Sequence, residues 1–408
     1  MSSKRKAWIG VGFVAAIAIL WACESQLQDA VEAQSVTAPY FEVDPFWPQP
    51  LPENWLLGNA IGVWVDDATD LIWLVHRSSA TLTGGESGAE QDPPTGECCV
   101  GAPPVLAFDM DGNVVHAWGP GPGEMYQGLE WPTSNHGIFV DHEGYVWVGG
   151  NGAGDAHVVK LTQQGDMVAQ FGSADARADG SGGYVRDSHD PENFGRVAKV
   201  FVDPVENEAY LSDGYFNRRV AVLDAESGEL LRYWGAYGND PIDDYPFGPR
   251  GADRTPAEQF RGPVHCADVS NDRMVYVCDR GENRIQVFTT EGEFVQEGFY
   301  QNESLGEGTT WDVAFSRDPE QRYLYITDGR NQKVRVVERA TMRELYTFGK
   351  GGRYPGMFFG AHSLATDSQG NIYTSETYEG KRIQKFVYMG ERSMPSGDHG
   401  PPWPGAGM

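Results

Sequence analysis

Positive charge is what this sequence most lacks: its 408 residues carry 31 Lys and Arg against 58 Asp and Glu, a formal net charge of −27. Binding to nucleic acid needs a basic footprint, so no nucleic-acid partner is expected. The acidity reads as a solubility feature, with attraction of cations or basic ligands as the other reading. Cysteine is scarce, five in all, and no CxxC pair occurs, which excludes the common cysteine-based zinc modules. There is no GxSxG elbow, HExxH helix or phosphate loop. GPGPGE from Gly119 has prolines and no helix after it, so it reads as a turn. DMDGN from Asp109 lacks the Glu that a calcium loop needs at its twelfth position and reads as a hairpin turn.

Long apolar runs are also missing, except for one at the start. Ala7 to Ala22 is 16 residues without a charge, preceded by Lys4-Arg5-Lys6 and ending Leu20-Trp21-Ala22-Cys23. That is short for a membrane span and suits the core of a secretory signal. The ending resembles a bacterial lipobox, which makes Cys23 the expected lipidation site; an uncleaved anchor is the alternative. Either way the rest of the chain is expected to be exported to the bacterial cell envelope, at the periplasm or cell surface, and tethered to the membrane. Loss of the three basic residues takes the net charge from −27 to −30.

What is abundant is glycine, 51 residues without a collagen-like period, as expected of an all-β chain with many tight turns. One pattern recurs: a strand ending in Asp, a turn, an aromatic-rich strand, a short loop, then a basic residue followed by alternating aliphatics. It reads HGIFVDHEGYVWVGGNGAGDAHVVKL from His136 and VFVDPVENEAYLSDGYFNRRVAVL from Val200. It returns from His265, Val313 and His362, and a first copy from Ile61 resumes at Pro104 after a Gly/Pro-rich insertion. Most copies close on an aromatic-Gly pair such as Trp118-Gly119 or Trp234-Gly235. Four short alternating strands per copy make a propeller blade. Six copies predict an all-β, six-bladed β-propeller of NHL-type repeats. The boundaries expected are a signal at 1–23, a linker at 24–39, the propeller at 40–390 and a Pro/Gly-rich tail at 391–408. The last copy lacks its outer strand, and Tyr40-Phe41-Glu42-Val43 is expected to supply it. Inserts near 78–103, 120–135, 173–195 and 236–262 read as rim loops.

One slot in the repeat carries chemistry. Five residues before the Asp-turn, at the head of the innermost strand, the even blades hold His136, His265 and His362, while the odd blades hold Ile61, Ala198 and Trp311. Alternate blades of a six-fold ring lie about 120° apart, so three imidazoles are expected to face one axial spot. Three His with an open fourth position is a catalytic zinc set; a structural metal or three solvated side chains are the competing readings. The second strand of each blade runs back to the same mouth, bringing Arg77, Tyr215, Arg280 and Arg330. Arg suits a carboxylate-bearing substrate, and a tyrosine beside a metal can serve as a base. Salt bridges between blades would explain the arginines equally well.

Cys266 and Cys278 sit about equally far from the Asn271-Asp272 turn, hence opposite each other on neighbouring strands; a cross-strand disulfide and two buried thiols are both open. Adjacent Cys98 and Cys99 lie in the blade-one insertion, where a vicinal disulfide in a pocket wall and a soft-metal site are the two readings.

The run LSDGYFNRRVAVL…LLRYWG, followed by AEQFRGPVHCADV…VYVCDRGENRIQVF, resembles the lyase domain of peptidylglycine α-amidating enzymes across all six blades. That family is a six-bladed propeller with a three-His zinc, and it cleaves peptidyl-α-hydroxyglycine to a peptide amide and glyoxylate. The resemblance implies zinc on His136, His265 and His362, a catalytic Tyr215 that takes the substrate's hydroxyl proton, and Arg77 and Arg280 steadying the carboxylate. It also implies a small carboxylate-bearing or peptidyl substrate and a separate monooxygenase to make it. Departures are visible. The family's Met-Pro-His-Asp string is Gly360-Ala361-His362-Ser363 here, so a pocket wall and a calcium-binding Asp are lost, and Ca²⁺ is not expected. The family's disulfide cysteines fall on Phe216, Tyr276 and Val287. A non-catalytic NHL propeller binding a protein or glycan partner is the alternative. A lactonase-like hydrolase is a third reading, opposed by the His slot.

Overall fold

The computed structural model describes residues 35–121, 123–251 and 255–405; the signal and Cys23 lie outside them. Among the described residues no helix is long and apolar enough to cross a membrane.

Six antiparallel sheets form six blades. The first holds Ala60–Val65, Ile72–His76, Val105–Phe108 and Val114–Trp118, and the sixth holds Ala361–Thr366, Ile372–Glu376, Arg382–Pro395 and, as its outer strand, Ser35–Asp44. The ring is therefore closed by the N-terminal strand, which pairs with Arg382–Pro395 in a register that sets Phe41 against Tyr388. That strand begins at Ser35, inside the stretch read as linker, and the tail is structured as well. Gly397–Asp398 adds to blade five, and the Val43 amide donates to the Pro402 carbonyl at 2.7 Å. Phe41 is buried and packs edge-on against Tyr325 at 5.4 Å and beside Phe348 at 5.6 Å, joining blade six to blade five. Phe41→Ala should cost about 3–5 kcal/mol in a urea unfolding titration, from lost burial and the cavity left behind.

Two side-chain devices explain the repeat. In blades one, two, three and six the Asp that ends or follows the innermost strand builds its own turn, and Ser270 and Ser316 take its place in blades four and five. Asp141 accepts the Glu143 and Tyr145 amides and the Trp147 indole, and Asp367 accepts Gln369, Asn371 and the Tyr373 hydroxyl. At the other end of blades three to six, an acid closing the second strand pairs with an Arg at or near the start of the third. The pairs are Asp213 with Arg219 at 2.8 Å, Asp279 with Arg284 at 3.0 Å, Asp328 with Arg335, and Glu376 with Arg382 at 2.6 Å. Buried charge is tolerated only when paired, so the acid and the Arg recur together. Innermost strands such as Asn135–Val140 and Val264–Val269 are buried throughout. That is why their heads can present only side chains that fit the channel.

Candidate metal centre at the channel mouth

His136, His265 and His362 head the innermost strands of blades two, four and six, and all three are buried. One ligand atom from each lies within 4.8 Å of the others, and the ring centroids are 4.8–4.9 Å apart. The odd blades orient them through the same slot in the repeat. Nδ1 of His136 donates to the Ala198 carbonyl at 2.7 Å, Nδ1 of His362 to the Ile61 carbonyl at 2.7 Å, and Nδ1 of His265 to the Trp311 carbonyl. A carbonyl only accepts, so each Nδ1 carries the proton and each Nε2 keeps its lone pair. Burial, then neighbouring positive charge, holds His136 and His265 well below the ordinary imidazole range and His362 down to about 3. The three rings are neutral at neutral pH.

The Tyr215 hydroxyl sits 2.9 Å from Nε2 of His136 and 3.0 Å from Nε2 of His265, and Arg280 Nη1 donates to it at 3.1 Å. A phenol has one proton to give, yet it faces two bare lone pairs, with a third from His362 close by. Such a set is electron-rich and fits a Lewis-acid cation bound through nitrogen, as zinc is. Arg280 lies over Trp311 at 4.4 Å, and its buried Nε has no hydrogen-bond partner among the described residues. Arg77 is half-buried, donating to Asn151 Oδ1 at 2.7 Å and to the Asn135 carbonyl at 3.3 Å. Burial lowers its pKa, against the pull of Tyr215 and Tyr378.

Tyr215, Arg280 and Arg77 therefore meet at the His mouth. Arg330 does not: it is exposed beside Gly306. Asn151 and Tyr378 are additions that follow from the same rule, since they come just after the second strands of blades two and six; Tyr378 donates to Glu307 at 2.6 Å. Cys266 and Cys278 are joined by a disulfide in blade four, and Cys98 and Cys99 by another in the insertion, which Lys381 ties to blade six through Glu86 at 2.8 Å.

Directly beneath the histidines, the buried Lys199 ammonium bridges Asp268 and Asp312, each at 2.8 Å. Ser363 donates to the other Asp312 oxygen at 2.5 Å. Burial works against the lysine's charge, but the two carboxylates outweigh it and hold it protonated. Burial pushes Asp268 up to about 6, with Lys199 pulling the other way. The donor set Cys266, Asp268 and Asp312 does not fit calcium, because the cysteine is oxidised and an ammonium already bridges the carboxylates. Lys199→Met leaves two buried carboxylates unpaired and should cost about 3–5 kcal/mol of unfolding free energy, read from a urea titration.

Fold and site together define a six-bladed NHL-type propeller with a three-histidine channel mouth, resembling the α-amidating lyase family. No protein-family model matches the chain. It is 25% identical to NHL repeat-containing protein 3 of Homo sapiens over 307 residues, 73% of this chain and 69% of that protein. It is 28% identical to peptidyl-glycine alpha-amidating monooxygenase of Mus musculus over 166 residues, 40% of this chain but only 14% of that protein. A crystal structure of a Bacteroides thetaiotaomicron protein of unknown function superposes with a TM-score of 0.50 at 13% identity, covering 86% of this chain and 76% of that one. This last likeness concerns the fold alone.

Proposed function

We propose that this chain is a zinc-dependent lyase that cleaves a peptidyl or N-acyl α-hydroxyglycine to an amide and glyoxylate. The observation that carries this reading is the Tyr215 hydroxyl held between two histidine Nε2 atoms and against Arg280. His136, His265 and His362 would hold the metal, which when bound supplies Lewis-acid polarisation of the substrate oxygen.

The chain's own residues account for the rest. Arg280, with a free Nε, and Arg77, held by Asn151, would receive the substrate carboxylate. The Tyr215 oxygen, as its phenolate, would take the proton of the α-hydroxyl; the carbon–oxygen bond becomes a carbonyl, the carbon–nitrogen bond breaks with its electron pair on nitrogen, and Tyr215 passes the proton to that nitrogen. The products balance as one amide and one glyoxylate. A separate monooxygenase would make the hydroxyglycine. Resemblance to the amidating enzymes supports a peptide-type substrate, although the mouse protein matches over a small share of its length. We further propose that Cys23 is lipidated and tethers the propeller to the outside of a bacterial membrane.

Incubation of the zinc-supplied protein with α-hydroxyhippurate, an N-acyl α-hydroxyglycine, should release glyoxylate and benzamide in equal amounts, and a chelator should abolish both. Turnover no faster than the spontaneous reaction, with zinc bound, would reject this activity on that substrate class.

A further inference from the structure

Arg77 and Arg280, at the histidine mouth, have no carboxylate partner among the described residues. In blades three to six the Arg that opens the third strand is held by an acid. Arg77 is held by neutral oxygens instead, Asn151 Oδ1 at 2.7 Å and the Asn135 carbonyl at 3.3 Å, and Arg280 by the Tyr215 hydroxyl at 3.1 Å. For Arg77 the cause lies in blades one and two, whose second strands end in His76 and Gly150 rather than in an acid. No acid fits at Gly150, because a Cβ there would meet Asp155 Oδ2 at 2.5 Å and Pro132 Cβ at 2.6 Å.

Asn151 itself is firmly held. Its backbone N–H donates to the Ser134 carbonyl at 2.9 Å, and its Oδ1 accepts from the Ser134 hydroxyl at 2.8 Å as well as from Arg77. A guanidinium only donates, so the amide atom facing Arg77 is the oxygen. Buried Asp155 locks both flanking segments by accepting the Thr133 hydroxyl and the Thr133, Ser134 and Gly152 amides at 2.7–3.1 Å. Its two oxygens are thus engaged within blade two and make no contact with Arg77. Arg77 is partly exposed, and its Nη1 makes no hydrogen bond among the described residues. A carboxylate in place of the Asn151 amide would make the same two bonds, but it would neutralise the guanidinium and repel an anion arriving beside it. The amide oxygen orients without neutralising.

We propose that Asn151 is a positioning residue: it holds Arg77 by an uncharged oxygen, so that the guanidinium meets a ligand's carboxylate with its charge unspent. The ligand's carboxylate rests on the lyase reading; what is added is that discrimination for the anion over its neutral analogue is set at Asn151.

The test is calorimetric titration of the zinc-supplied exported chain with hippurate, which lacks the α-hydroxyl and cannot be cleaved, and with its neutral analogue hippuramide. Saturable binding of one hippurate is expected. Asn151→Asp should weaken hippurate at least about tenfold while changing hippuramide less than about threefold. Asn151→Ala, which frees Arg77 without adding charge, should weaken hippurate less than Asn151→Asp does. Zinc content and the urea midpoint of Asn151→Asp should stay near native, because Arg77 and Ser134 can donate to the new carboxylate. No saturable binding of hippurate up to ~10 mM, hippurate affinity of Asn151→Asp within about threefold of native, or an equal loss for both ligands would overturn the proposal. Hippurate binding is read without turnover, so it stands if α-hydroxyhippurate is not cleaved. Conversely, glyoxylate release by a chain whose hippurate affinity ignores Asn151→Asp keeps the lyase and removes this role.

Discussion

His265→Ala is expected to abolish zinc retention and to lower glyoxylate release at least about a thousandfold. Polarisation by a metal is worth several kcal/mol, and each ~1.4 kcal/mol is tenfold in rate. The three imidazoles form one unit, each fixed by a carbonyl of the next odd blade, so His136→Ala and His362→Ala should each match it. A triple variant should be hardly worse than any single one, as for groups that act together. Steady-state kinetics with metal content measured on the same preparations checks this. Single variants that keep full activity and full zinc would show that the metal, if any, sits elsewhere.

Tyr215→Phe should separate chemistry from metal binding. The substitution keeps the ring, which stacks edge-on against His136 at 4.8 Å, and removes only the hydroxyl shared by His136, His265 and Arg280. Zinc content should stay near that of the native chain, while kcat falls about 10²- to 10⁴-fold, the usual worth of a positioned acid–base group. KM should hardly move, because Arg77 keeps its partners and Arg280 loses only its bond to the hydroxyl. A kcat within about threefold of native would rule out Tyr215 as the base, since general acid–base catalysis is worth far more. A loss confined to KM would instead make it a binding group.

The fold could be read from the sequence because its two recurring devices are local. The Asp-turn and the pairing of a strand-ending acid with a following Arg each lie within a few residues of sequence, so every blade carries at least one of them. The three-histidine group was legible for a related reason: a fixed offset from the turn places His136, His265 and His362 at one height in the channel. Rim geometry was harder. Arg330 follows Asp328 as Tyr215 follows Asp213, yet it is exposed beside Gly306, while Asn151 and Tyr378, which also come just after second strands, were not singled out. Lys199 was invisible for a deeper reason. It gains its meaning from Asp268 and Asp312, 69 and 113 residues away, and no local pattern marks a lysine that will be buried between two blades. The closing strand was expected at Tyr40–Val43, but its start at Ser35 depends on pairing with the far end of the chain.

The central claim is the metal, and elemental analysis of the purified exported chain after zinc is supplied tests it most directly. About one zinc per chain, bound by neutral imidazoles and released on acidification, is the expected result. No transition metal bound at neutral pH would contradict the three-histidine centre and with it the proposed lyase, leaving a propeller that binds its partners without catalysis.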